Sequence, residues 1–113
     1  MSYENLEVWK RSCRLSCQLY LELAHCRDYG FKDQVTRSGL SIPSNIAEGY
    51  ERGGRKEKRQ FLLYARGSGA ELKTQIQIGK RVGFIPDETA GLWLEEITQI
   101  QKMLGALIKR VSG

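Results

Sequence analysis

The sequence has little of what commonly marks a membrane protein or a secreted protein. Its 113 residues include two prolines, three cysteines and one histidine. No apolar run approaches the roughly 20 residues that span a bilayer. The first five residues do not join a basic segment to an apolar one, so we expect no secretory signal and a cytoplasmic location. With 41% hydrophobic and 27% charged residues, the chain has the composition of one folded domain, residues 1–113.

Residues that carry metal or catalytic chemistry are scarce. Cys13 and Cys17 are four positions apart and Cys26 stands alone, so there is no Cys-x-x-Cys pair. Cysteines in this arrangement are more often small buried apolar residues than metal ligands or a disulfide. His25 has no nucleophile or carboxylate that the sequence assigns to it, and the Glu-x-x-His motif of di-iron bundles is absent. We therefore predict no catalytic residue, no metal and no cofactor, and hence no enzyme.

Helical periodicity is what the sequence does contain, in four segments. Apolar residues recur at spacings of three and four in residues 5–26, 31–51, 55–82 and 87–110. Such spacing places them on one face of a helix. Asn5 is the predicted N-cap of the first segment. Short links between the segments predict an all-α, antiparallel up-down-up-down four-helix bundle.

The predicted core faces of the last three helices follow directly from that spacing. In the fourth segment the apolar residues form a heptad seam. The predicted face of the second helix is Phe31, Val35, Ser38, Ile42, Ile46 and Gly49. That of the third helix is Phe61, Ala65, Ser68, Leu72, Ile76, Gly79 and Val82. That of the fourth helix is Trp93, Ile97, Ile100, Leu104, Leu107 and Val111.

The first segment has two apolar stripes. One stripe is Leu6, Trp9, Cys13, Cys17, Tyr20 and Ala24, which we assign to the core. The other contains Val8, Leu15, Leu19 and Leu23 with Cys26. A helix packed on all sides would explain both stripes, but a four-helix bundle has no central helix. We therefore favour self-association through Val8, Leu15, Leu19 and Leu23.

Proline and glycine interrupt two of the predicted helices. Pro43 removes a backbone donor, so the second helix should kink or break there; Ser41, Ser44 and Asn45 are candidates to bond the freed groups. The glycines around Ser68 cost helix stability, which close approach of another backbone would explain.

One polar cluster is a candidate binding site. Arg52, Arg55, Lys56, Lys58 and Arg59 surround Glu57 at a turn and a helix start. Cations there oppose the helix dipole, while free amides at a helix start bind phosphate. No aromatic alternates with these cations in the sequence, so base stacking is not indicated. The cluster predicts contact with a nucleic-acid backbone; a solvated charged loop is the alternative.

A run in the second helix resembles a known family signature. The run is Ser41, Ile42, Pro43, Ser44, Asn45, Ile46, Ala47, Glu48 and Gly49, followed by Tyr50 and Arg52. Further matching pieces are 6–9 and 61–72. On these residues the chain is identified as a member of the bacterial four-helix bundle proteins encoded in intervening sequences of large ribosomal RNA genes.

This resemblance implies a homopentamer around a central channel, using the second stripe of the first helix. The family is also similar to accessory proteins of diversity-generating retroelements, basic pentameric bundles that associate with a reverse transcriptase and with nucleic acid. It supplies no catalytic residue. The modest net charge of +5 departs from that retroelement branch and weakens the expectation of strong nucleic-acid binding.

Two functional hypotheses follow. The first is a non-enzymatic, homo-oligomeric accessory protein that binds RNA or DNA backbone through the basic cluster. The alternative is a protein–protein interaction scaffold without nucleic-acid binding, whose mark would be an exposed apolar stripe. A pocket that joins Asn45, Glu48 and Glu71 would instead favour an enzyme.

Overall fold

The computed structural model describes residues 2–113; Met1, which the predicted domain includes, lies outside the described part. A short 3-10 helix, Tyr3–Asn5, precedes four α-helices. These are α1 (Glu7–Glu22), α2 (Tyr29–Arg52), α3 (Arg55–Arg81) and α4 (Asp87–Ser112). Each helix packs against the next, and α4 packs back against α1. The predicted up-down-up-down bundle is confirmed, in an elongated body of 42 × 20 × 20 Å.

Local signals set the helix ends. The side chain of Asp28 accepts a hydrogen bond from the Phe31 amide at 3.0 Å and begins α2. Gly53, at φ 81°, ends α2 in the left-handed conformation that glycine adopts without strain. The predicted N-cap Asn5 is wrong, because this residue lies in the 3-10 helix and α1 follows Leu6. Among the described helices, none combines the length and the hydropathy needed to cross a bilayer.

The predicted core faces of α2 and α4 are confirmed. Val35, Ile42 and Ile46 of α2 are fully buried, as are Ile97, Ile100 and Leu104 of α4. On α3 most of the predicted face is also buried. Phe61 and Ser68 are half-buried. Val82 is 56% exposed, because it follows Arg81, the last residue of α3.

The assignment of the two stripes on α1 is wrong. Val8, Leu15, Leu19 and Leu23, the predicted oligomer interface, are at most 3% exposed and belong to the core of the chain itself. They cannot contact a second copy while the bundle is intact. Periodicity could not rank two stripes of similar spacing. Ser12 and Ser16 are buried beside the aliphatic stripe. The Cα of Ser16 and the side chain of Leu19 lie against Gly39 of α2, so small residues on both helices allow the approach on this side.

The stripe that was assigned to the core lies at its edge or outside it: Leu6 and Trp9 still pack against the core, and the later residues face outward. Trp9 and Cys13 are half-buried, whereas Cys17 and Tyr20 are exposed. Trp9 packs edge-on against Tyr3, with ring centroids 5.4 Å apart. The expectation that the cysteines are buried is therefore wrong for Cys17. An apolar face of α1 remains open to solvent.

Pro43 does not break α2, which is continuous from Tyr29 to Arg52. The side chains of Ser41 and Asn45 bond the carbonyls of Arg37 and Ser41, at 2.9 and 2.8 Å. They do not reach the carbonyl of Gly39, whose partner Pro43 removes. Pro43 is itself buried, so packing of its ring in the bundle offsets the missing hydrogen bond.

The glycines of α3 are explained by side chains more than by backbones. A Cβ atom on Gly69 would collide with the amide of Gln101, whose Nε2 donates to the Arg66 carbonyl at 2.8 Å. Two residues earlier, Gly67 has no neighbouring heavy atom within 4 Å of such a Cβ. The predicted close backbone approach lies instead at Gly49 on α2. A Cβ there would stand 2.8 Å from Phe61 Cβ and 3.4 Å from Lys58 Cα.

The contact between α1 and α4 is the least extensive of the four neighbouring pairs. Arg11 of α1 bridges it: Nε donates to Glu96 at 2.9 Å, and a second nitrogen donates to Glu96 and Gln99. The side chains of Arg11 and Glu96 are 23% and 29% exposed. The guanidinium of Arg11, through this hydrogen bond, lowers the pKa of the Glu96 carboxyl. A charge-assisted bidentate pair therefore links α1 and α4 where the contact between neighbouring helices is least extensive.

Candidate nucleic-acid interface

The basic cluster lies where α2 meets α3. Only Gly53 and Gly54 separate the two helices, so the last turn of one and the first turn of the other are held together. The five predicted phosphate contacts are thereby brought to one end of the bundle: Arg52, Arg55, Lys56, Lys58 and Arg59.

Three of these five cations are fixed by partners within the chain. Arg52 pairs with Glu48 at 2.9 Å. Lys58 Nζ lies 4.9 Å from the centroid of an aromatic ring, that of Tyr50. Arg59 Nε donates to the Ser112 hydroxyl at 2.8 Å. Both arginines keep further N–H groups for an external acceptor, since a guanidinium has five.

Arg55 and Lys56 are the least constrained cations of the cluster. Both are exposed. In the part of the chain that the structure describes, neither side chain forms an ion pair or a hydrogen bond. Because their charges oppose the dipole of α3, these two residues are the strongest candidates for contact with an external anion.

The helix start itself is less open to phosphate than predicted. Gly54 caps α3 without a side-chain hydrogen bond, which leaves the first amides unsatisfied. The carboxylate of Glu57, however, folds back against Gly54. A carboxylate at this position favours the helix dipole and would repel a phosphate. The geometry therefore favours side chains over backbone amides as phosphate contacts.

The last turn of α4 enlarges the cluster. Lys109 and Arg110 lie there, and the bond from Arg59 to Ser112 places this turn beside the start of α3. Arg110 also acts electrostatically on Tyr50, whose pKa is raised chiefly by burial. These two cations were not predicted to belong to the cluster, because they lie about 50 residues from it in the sequence. The predicted antiparallel topology could have indicated their position, because it puts the end of the fourth helix beside the start of the third.

Aromatic side chains at this end were also missed. The guanidinium of Arg52 lies 4.9 Å from the Phe61 ring centroid. Phe61 in turn packs edge-on against Tyr64 at 5.4 Å and 88°. The ammonium group of Lys58 lies over the ring of Tyr50. These aromatics do not alternate with the cations along the sequence, but the fold interleaves them in space.

The signature run of α2 is mainly structural. Ile42, Pro43, Ile46 and Gly49 are buried, and Gly49 permits the close contact with α3. Asn45 is half-buried, and the side chain of Glu48 is 50% exposed in its pair with Arg52.

Residues suggested for other chemistry are separated. Asn45 bonds a carbonyl of its own helix and Glu48 pairs with Arg52, whereas Glu71 lines a shallow depression on the outside of α3. The three cysteines are free thiols, and burial raises the pKa of Cys13. Over residues 2–113, no three His, Cys, Asp or Glu side chains come together as a metal site would require.

The fold and this end of the molecule define a class: an antiparallel four-helix bundle with cations concentrated where α2, α3 and α4 meet. Residues 4–106 match the family model described as 23S rRNA-intervening sequence protein. The chain belongs to that family.

The solved structures include a similar fold. It is the structure of a protein with unknown function from the S23 ribosomal protein family of Bacteroides thetaiotaomicron, with a TM-score of 0.84 and 24% sequence identity. The alignment covers 90% of this chain and 98% of that chain. At this identity the likeness supports the fold alone. A comparison with curated proteins finds no match.

Proposed function

We propose that this protein is a non-enzymatic, homo-oligomeric accessory protein that binds the backbone of RNA or DNA at the basic end of its bundle. The observation that carries the proposal is the pair Arg55 and Lys56, exposed and without partners among the described side chains, at the centre of a larger group of cations. Phosphate attracts such a group irrespective of base sequence, and the released counterions make the binding sensitive to salt.

Self-association would strengthen this binding. Each chain carries a net charge of +5, and an assembly displays one basic end per copy. Linked sites raise the effective concentration of the second contact once the first has formed. A modest cluster on one chain thus becomes a stronger site on an oligomer.

The surface best suited to self-association is the outward face of α1 and α2. Tyr20 and Leu40 are each 47% exposed. They follow Leu19 and Gly39, which meet at the contact of the two helices. In antiparallel helices, the residues that follow such a contact lie on the same side of it. This face replaces the buried stripe that the sequence predicted.

A protein scaffold is the second candidate, and one observation favours it. A groove of about 450 Å³ runs along the seam between α1 and α4. Leu92 lines it and is 64% exposed, close to buried Trp93. Exposed apolar surface of this kind is a common mark of a protein partner.

The test is fluorescence anisotropy of a labelled, structured RNA at low salt. Arg55→Gln with Lys56→Gln removes two cations from the basic end. Lys80→Gln with Arg81→Gln, at the opposite end of α3, is the matched control, since it removes the same charge from exposed positions. We expect the first pair to weaken binding more than about tenfold, because two charge-assisted contacts of roughly 1 kcal/mol each are lost.

The control pair should weaken binding much less. Equal losses for the two pairs would mean that net charge, and not the basic end, governs binding. If the wild type does not bind, the nucleic-acid proposal fails and the α1–α4 groove becomes the leading site.

A further inference from the structure

Two aromatic rings stand beside the basic end in a fixed arrangement. We call Phe61 and Tyr64 the aromatic ledge. Their rings meet edge to face at 88°. Arg52, from the neighbouring helix, lies over Phe61, and the same guanidinium pairs with Glu48. Contacts within the chain therefore link the ledge to one cation of the basic cluster.

Tyr64 is the accessible half of the ledge. Its side chain is 51% exposed, whereas Phe61 is half-buried against α2. One turn further along α3, Gly67 carries no side chain and would have no neighbour within 4 Å even with one. Residues three apart on a helix are surface neighbours, so the space beside the Tyr64 ring is open.

Gly67 also borders a shallow depression along α3. It measures about 370 Å³ and is lined by Gly67, Ala70, Glu71, Thr74 and Gln75. The lining is largely small or uncharged, apart from Glu71. A carboxylate there disfavours a phosphate but not a neutral ring. The depression thus suits a flat uncharged group, while the cations lie toward the start of the helix.

A nucleic acid offers both chemistries at once: phosphates for cations and bases for an aromatic face. Bases within a duplex are already stacked on one another, so only an unpaired base can reach an external ring. An exposed aromatic next to a basic groove is the usual arrangement of proteins that bind single strands without strict sequence preference.

We infer that the aromatic ledge stacks an unpaired base, so that the protein prefers single-stranded nucleic acid, or a loop or end, over duplex. This inference rests on the proposed function and specifies its substrate class. Lys56 lies eight residues before Tyr64, about 12 Å along the helix axis. One strand can therefore place its phosphates on the cations and a base on Tyr64.

The experiment measures anisotropy of a labelled single-stranded 12-nucleotide RNA of mixed sequence, its duplex, and the same strand with abasic positions. Tyr64→Ala should weaken binding of the single strand roughly tenfold, as loss of one stacked base does. Tyr64→Phe, which keeps the ring, should stay within about twofold of the wild type. Tyr29→Ala is the matched control, because Tyr29 is a 71% exposed tyrosine at the opposite end of the bundle.

The abasic strand should bind the wild type and Tyr64→Ala alike. If Tyr64→Ala binds the intact strand as the wild type does while Arg55→Gln with Lys56→Gln does not, the proposed function stands and base stacking is refuted. Preference for the duplex would also refute it. If the wild type binds none of the three probes, the proposed function fails and this inference fails with it.

Discussion

Replacement of Gly49 by alanine tests the close approach of α2 and α3. A Cβ atom at Gly49 would lie 2.8 Å from the Cβ of Phe61 and 3.4 Å from the Cα of Lys58. These atoms are part of α3 or directly attached to its backbone. The collision cannot be relieved by rotating the end of a flexible side chain, so the two helices must move apart. Overpacking of this kind costs about 1–3 kcal/mol.

Gly67→Ala is the matched control for this substitution. Both glycines lie inside helices, so alanine gains about 1 kcal/mol of helix propensity at either site. At Gly67 nothing opposes the gain, since no heavy atom lies within 4 Å of the added Cβ. The difference between the two variants therefore isolates the cost of packing.

Thermal and urea unfolding of both variants give the comparison. Gly67→Ala should be more stable than the wild type by about 0.5–1 kcal/mol. Gly49→Ala should be less stable than Gly67→Ala by about 1–3 kcal/mol, or roughly 4 °C in Tm for each kcal/mol in a chain of this length. Equal stability of the two variants would refute the close contact at Gly49.

Three further predictions concern the seam, the core and the basic end. Glu96→Gln should lower the free energy of unfolding by about 1–2 kcal/mol at pH 7, where the wild-type carboxylate pairs with its arginine on α1. Because that pairing lowers the pKa of Glu96, its contribution is complete above the unfolded value of about 4.3. It is lost as pH falls through the lower folded pKa, so urea titrations should show the two proteins converging in acid; a constant difference would contradict this. Leu19→Ala should cost about 2–5 kcal/mol and Tyr20→Ala less than about 1 kcal/mol in the monomer, and the reverse order by urea unfolding would restore the stripe assignment made from sequence. Arg55→Gln with Lys56→Gln should raise the free energy of unfolding at low salt by about 0.3–1 kcal/mol; a loss of stability in calorimetry would mean that these cations hold the fold and are not reserved for a ligand.

Much of the fold could be predicted because the helical spacing of all four segments agreed with the bundle. The heptad seam of α4 is buried as its spacing requires, and glycine at residue 53 ends α2 where the turn demands a positive φ. Spacing failed on α1, where two stripes fit equally well. The stripe that packs inward lies beside small buried residues, Ser12 and Ser16 of α1 and Gly39 of α2, which have no apolar signature.

The candidate site was only partly visible in the sequence for a related reason. Five cations cluster within eight residues and could be found by inspection. Lys109 and Arg110 join them only through the antiparallel return of α4, and the Arg52–Phe61–Tyr64 arrangement only through the contact of α2 with α3. Because these cations and aromatic side chains come together only in the folded chain, their arrangement produces no recognisable pattern in the sequence.

The salt dependence of RNA binding tests whether the basic end contacts a nucleic-acid backbone. The slope of log K against log salt counts the phosphates that the protein neutralises, at about 0.7 per contact on a single strand. For Arg55→Gln with Lys56→Gln, we expect a slope shallower than that of the wild type by about 1.4, because two such contacts are lost. Lys80→Gln with Arg81→Gln should leave the slope unchanged. If the Arg55 and Lys56 variant keeps the wild-type slope, or if the wild type does not bind at low salt, the basic end is not the site of backbone contact.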